Sequence, residues 1–290
     1  MQYLLDQVIS GIAIGAIYGL VAMGFALIYK ATGLVNFAQG EMSMITAYIA
    51  WTIASAVPGN PWLVVGGALT ASALLGLAIE RVIMRPMLGE PVFATVMVTI
   101  GLAVILRSAT LLIWDAYPHG LDIGVGREIL QIGETGVRSA QLAVMATLLV
   151  ALGGFWAFFR FSRIGKAMRA VASDERAAQL MGISAARIHA VAWTASSVIA
   201  GIAGVFSALL YDVSPTMFHV GLKAFPATIL GGLDSVLGSG FGGVIMGVAE
   251  NLAAGYLAPS VKEITGFVVI IVVLMIRPFG LFGEHEIERV

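Results

Sequence analysis

Residues 8–29 run on without one charged side chain. A helix needs about 20 apolar residues to cross the roughly 30 Å hydrocarbon core of a bilayer. Apolar runs with at most one charged residue recur at 62–80, 92–114, 139–159 and 185–211, and a shorter one at 264–276. In lipid every backbone N–H and C=O must be bonded within the protein, so only helices and closed barrels can span. Barrel strands alternate apolar and polar residues, and these runs do not. The chain is 59% hydrophobic and only 11% charged, against about 25% charged in soluble domains. The fold class expected is therefore all-α: a polytopic membrane protein with about eight transmembrane helices, some broken or re-entrant.

The longest polar insert is Arg160–Ile188, RFSRIGKAMRAVASDERAAQLMGISAARI, which carries six of the sixteen Lys and Arg. Basic loops beside apolar spans stay cytoplasmic. With this loop inside, Lys30, Arg81 and Arg85 also fall inside, the amino terminus lies outside and Arg277 places the polar tail EHEIERV inside. Eleven Lys and Arg then lie inside and five outside or embedded. The loop has internal order as well. Ser173 is expected to cap a short helix with Asp174 and Glu175 in its first turn, where the dipole favours acids, and Gly182 to end it. Ala177, Leu180 and Met181 give that helix an apolar patch suited to docking. The competing reading is a solvated loop that only sets orientation.

Other stretches break the pattern. Gly33, Asn36, Gln39, Gly40 and Glu41 interrupt 31–57, predicting a non-helical or re-entrant entry into the second span. An embedded charge costs about 2.5–3.5 kcal/mol on insertion scales, so Glu41 must be paired, wet or interfacial. The third span is expected to end in Glu80, Arg81 and Arg85, with Pro86 stopping any helix, and Arg107 to snorkel from the far end of the fourth. Residues 115–138 read as a mixed polar loop holding Asp115, His119, Asp122, Glu128 and Glu134, and Ser184 as the cap of the sixth span. For the termini to lie on opposite sides, 222–257 must cross twice or not at all; a pair of short segments joined at LGGLDSVLGSG fits, and one long span does not. Glycine-interrupted segments in both halves, here 33–41 and 231–243, are the mark of a transport pathway. Gly11, Gly15 and Gly19 line one helix face; they either permit close packing or are ordinary membrane glycines. No basic region precedes the first span, which is expected to be retained rather than cleaved.

Much chemistry is excluded. There is no cysteine, hence no disulfide or thiol catalysis. No phosphate-binding GxxxxGK[ST], HExxH or GxSxG motif occurs, and His119, His189, His219 and His285 are scattered. A permease driven by a separate motor is left, with a stand-alone ion-coupled carrier using Glu41, Asp234 and Glu250 as the alternative.

Four stretches taken together resemble the LivH-type permeases of branched-chain amino acid ABC importers. They are GLVNFAQGEM at 33–42, Glu80-Arg81-Val82 with Arg85-Pro86, the loop SRIGKAMRA…LMGI, and Lys223-Ala224-Phe225 before LGGLDSVLGS. The resemblance covers nearly the whole chain, departing at Gln39, where relatives commonly carry His, and at Asp234. It implies a single transmembrane permease domain over residues 1–290, with a coupling loop at 160–188, in the bacterial cytoplasmic (inner) membrane. It implies no enzyme activity and no cofactor in this chain, ATP being bound and hydrolysed by partner subunits. The implied partners are a second, LivM-like permease, two cytoplasmic ATPase subunits, a periplasmic or extracellular substrate-binding protein and membrane lipid; nucleic acid is not among them. By carry-over, Gly165, Arg169, Glu175, Gly182 and Ile183 belong to the coupling loop. Asn36, Gln39, Glu41, Lys223, Asp234 and Glu250 are candidates for the translocation path or its gate, with pairing at the helix break as the other role for Asn36, Gln39 and Glu41. No deep binding pocket is expected, since the external protein would supply selectivity. Urea or short-amide importers share most of these motifs; their permeases often carry a longer amino-terminal region, which favours amino acids here.

Overall fold

A computed structural model describes residues 2–126, 128–132 and 135–283. Glu134 and the tail from Glu284 onward lie outside the described residues. The helices are α1 (Gln2–Thr32), α2 (Gln39–Ala56), α3 (Pro61–Ile79), α4 (Val92–Trp114), α5 (Ser139–Phe161), α6 (Arg163–Ser173), α7 (Glu175–Leu180), α8 (Ala185–Leu210), α9 (His219–Gly231), α10 (Val236–Tyr256) and α11 (Val261–Ile276). Among the described residues six helices are long and apolar enough to cross a membrane: α1, α3, α4, α5, α8 and α10. Adding α2 and the 16-residue α11 gives a number consistent with the expected crossings.

The helix α1 is the axis of the molecule. Its most apolar window is 89% buried, whereas that of α5 is 17% buried, so α1 sits among helices and α5 against surroundings. Its glycine face packs antiparallel on α10. A Cβ on Gly11 would stand 2.8 Å from Val248 Cα, one on Gly15 2.7 Å from Val244 Cα, and one on Gly19 2.6 Å from the Gly240 carbonyl. Lipid supplies no hydrophobic drive between helices, so association relies on such close backbone approach. The packing role of these glycines is thus the correct one of the two readings.

Two ends can be distinguished. At one, Lys30 Nζ donates to the Asp234 carbonyl at 2.9 Å and lies over the Phe159 ring, while Leu281 and Phe282 pair with the end of α9. At the other, Tyr3 Oη donates to the Gly255 carbonyl, and Trp51 stacks on His119.

Three expectations need correction, whereas Pro86 does stop the third span: past Ile79 the chain runs on only as a π-turn, Glu80–Met84, and a 3-10 turn, Arg85–Met87. Pro86 is tolerated there because it occupies the first turn of that 3-10 segment, where its missing N–H is not needed. Residues 222–257 are not two short segments. Only α9, at 13 residues, is short; α10 runs for 21, because small residues let it lie along the whole of α1. Ser173 is the last residue of α6, and Asp174 caps α7 instead, accepting from Ala177 N at 2.9 Å. Residues 115–138 contain a two-stranded antiparallel ladder, β1 (Ile129–Ile132) with β2 (Thr135–Arg138), leading into α5.

Candidate functional site

The break before α2 is built from side-chain amides. Residues 33–38 leave the helix with Gly33 at φ +68°, a left-handed conformation that glycine adopts without a Cβ clash. Asn36 Oδ1 accepts from Ala38 N at 3.1 Å, and Asn36 Nδ2 donates to Gln39 Oε1 at 3.0 Å. Gln39 Nε2 donates to the Ser196 carbonyl, and Ser196 Oγ donates to the Gly24 carbonyl at 2.9 Å. Both amide side chains are fully buried. They join α1, α2 and α8 at the point where backbone bonding is interrupted, as a break inside a membrane requires.

Glu41, in the first turn of α2, accepts from Arg107 Nη2 of α4. The expectation that Arg107 snorkels is corrected: its guanidinium lies 3.3 Å from the centre of the Phe218 ring and is held by Glu41. Snorkelling relieves an unpaired charge, and here the charge already has a carboxylate and an aromatic face. A cavity of about 270 Å³ opens beside the pair, lined by Phe25, Phe37, Ala103, Val104, Phe218 and Phe225. It forms because Gly40 and Gly221 meet backbone to backbone, setting α9 against α2.

Lys223 and Glu250 do come together. Lys223 Nζ stands 3.6 Å from Glu250 Oε2 and donates to Glu263 Oε1 at 2.9 Å, and Tyr18 Oη donates to Glu250. Glu250 is 2% exposed, so its charge is met by a cation and a hydroxyl rather than by water. Asp234 is elsewhere: it lies in the turn between α9 and α10, where its carbonyl accepts from Lys30. The path candidates therefore divide into an amide-held break, a charged pocket, an acid–lysine cluster and a turn at one end. Among the described residues no group of three His, Asp or Glu could hold a metal ion.

The loop candidates occupy the end that carries Lys30 and Arg85. Gly165 sits where α6 folds back on α5; a Cβ there would be 2.5 Å from the Phe158 carbonyl. Arg169 and Glu175 are exposed. Gly182 ends α7 at φ +84°, with its N–H on the Gln179 carbonyl and the Ile183 N–H on the Ala178 carbonyl. Ile183 packs toward the main core. Leu180 and Met181 stand 89% and 83% exposed, an apolar knob at the tip of α7. Sequence reasoning missed Arg107, Tyr18, Phe218 and Ser196 as site residues. Only Arg107 left a usable signal, as a second embedded charge needing a partner of opposite sign.

The chain matches, over residues 7–276, the family described as "Branched-chain amino acid transport system / permease component". It belongs to that family. It is 32% identical to the high-affinity branched-chain amino acid transport system permease protein LivH of Salmonella typhimurium, covering 99% of this chain and 98% of the relative. It is 30% identical to BraD of Pseudomonas aeruginosa, covering 100% and 99%, and 27% identical to a probable LivH of Methanocaldococcus jannaschii, covering 91% and 88%. No solved structure matches it. This family member is thus an integral membrane permease, and the resemblance read from its motifs is shown across the whole chain.

Proposed function

We propose that this chain is the permease subunit of an ATP-driven importer for branched-chain or other hydrophobic amino acids. Residues 1–290 serve as one transmembrane domain in the bacterial cytoplasmic membrane, amino terminus outside and carboxyl terminus inside. A second, LivM-like permease completes the path, two cytoplasmic ATPases bind and hydrolyse the ATP, and an external binding protein delivers substrate. The observation that carries this reading is the exposed Leu180–Met181 knob at the tip of α7, on a loop rich in Arg. An apolar tip beside basic residues would be costly in water and useless in lipid; it suits a socket on a soluble partner. Gly165, Arg169, Glu175, Gly182 and Ile183 shape the loop, which would pass ATPase movement to α5 and α8. A conformational shift of this kind requires contacts that differ between the two states.

The test is uptake of labelled leucine and labelled urea in cells with and without the chain, before and after ATP depletion. Leucine uptake that needs both chain and ATP supports the proposal. Urea uptake moves the chain to an amide importer. Uptake that survives ATP depletion and collapses with the ion gradient makes it a stand-alone carrier.

A further inference from the structure

The Glu41–Arg107 pair has unusual surroundings for a membrane ion pair. Phe25, Phe37, Phe218 and Phe225 wall a cavity of about 270 Å³ on one side of it, with Ala103 and Val104 on the other. The rim residues Val104 and Leu222 are exposed, so the cavity opens sideways from the helix bundle. Arg107 stands seven residues before the end of α4, about 10 Å along the helix and so well inside the span. Its side chain is 36% exposed at this mouth. A charge so placed against acyl chains is costly, which makes the mouth face a wet path or another subunit. Arg107 Nε is also buried with no hydrogen-bond partner among the described residues, a donor left over after Glu41 is satisfied.

We infer that this pocket is a transit site for a zwitterionic amino acid with an apolar side chain, Glu41 taking the ammonium and Arg107 the carboxylate. The inference rests on the import reading above and names where its substrate pauses. A zwitterion inserting between the two side chains replaces one ion contact with two, and leaves neither protein charge unpaired. The guanidinium carries Nη donors for the carboxylate oxygens. The side chain of the substrate then lies on the phenylalanine walls. Because the protein pair re-forms as the substrate leaves, its departure strands no buried charge, as a path rather than a trap requires.

The test uses the complete importer, with its partner permease, ATPases and binding protein, in proteoliposomes supplied with ATP. Uptake of labelled leucine and labelled alanine is compared. Arg107→Gln is expected to lower leucine uptake by about tenfold or more, with partial rescue by Arg107→Lys, while ATP hydrolysis continues. Ala103→Leu fills the apolar half of the cavity without touching the charges. It is expected to lower leucine uptake about tenfold relative to alanine uptake, in a complex whose thermal unfolding is unchanged. A folded Ala103→Leu complex with an unaltered leucine-to-alanine ratio overturns the inference, as does normal leucine uptake by Arg107→Gln. A wild-type complex that takes up no leucine with ATP present overturns the import reading itself, an outcome the wild-type arm reports before any variant is compared.

Discussion

Gly15 and Gly243 hold α1 and α10 in backbone contact: a Cβ on Gly15 would stand 2.8 Å from the Gly243 carbonyl oxygen. No side chain intervenes, so the helices cannot yield by rotating a rotamer. Gly15→Val is expected to separate the central helix from its main neighbour and destabilise the protein by about 1–3 kcal/mol or more, as overpacking does. Gly101→Ala, at a position with nothing within 4 Å, should leave stability unchanged. Thermal unfolding of the two variants in detergent checks this.

Removing the amide of Gln39 tests the break. Gln39→Ala deletes the acceptor of Asn36 Nδ2 and the donor to the Ser196 carbonyl, leaving buried polar groups unmet. The expected loss is about 1–3 kcal/mol, with protease sensitivity increased at 33–38. A Gln39→Glu variant keeps the acceptor but sets a buried carboxylate against the Ser196 carbonyl, and should destabilise at least as much as Gln39→Ala.

The α7 tip predicts a binding defect rather than a folding defect. Leu180→Asp and Met181→Asp replace side chains that touch almost nothing in the isolated chain. Each should leave thermal stability unchanged and weaken copurification of the ATPase subunits, by about 10–100-fold if burying one such side chain contributes roughly 1.5–3 kcal/mol. Arg169→Glu combined with Glu175→Lys should leave ATP hydrolysis running while uptake falls. Normal coupling in that double variant would remove both residues from the transmission path.

Orientation is open to direct measurement because the chain has no native cysteine. Gln179→Cys on the exposed side of α7 should react with an impermeant maleimide only in inside-out vesicles. Tyr117→Cys, 74% exposed after α4, should react in intact cells with a permeable outer envelope. The reverse pattern would invert the topology.

The helical architecture was legible because lipid leaves a long apolar run little alternative. Spans such as 92–114 coincide with their helix, and Ser184 caps α8 as expected, accepting from Arg187 N. The break at 33–38 was legible from polar and glycine residues that a continuous lipid-facing helix would not carry. The cap of α7 was misplaced by one residue, since Ser173 and Asp174 are both good caps and only the path of α6 selects between them. The length of α10 was misjudged because its glycines read as breaks; packed on α1 they are the contact surface.

The sequence by itself determined that the chain lies in a membrane, that it is helical, which family it belongs to and which loop carries the charge. The membrane, the helices and the charged loop follow from local composition and spacing along the chain, where the cost of exposing a backbone or a charge to lipid acts directly, whereas the family follows from the resemblance of four motif stretches. Tertiary structure alone decided the partners. It joined Glu41 to Arg107 across 66 positions and Tyr18 to Glu250 across 232, and it set Asp234 apart from both. Those pairings depend on which helix faces meet, and that is set by close packing at residues such as Gly40 and Gly221. Spacing along a chain carries no record of such approach, because what decides it is the shape of two surfaces and not the sequence of either one.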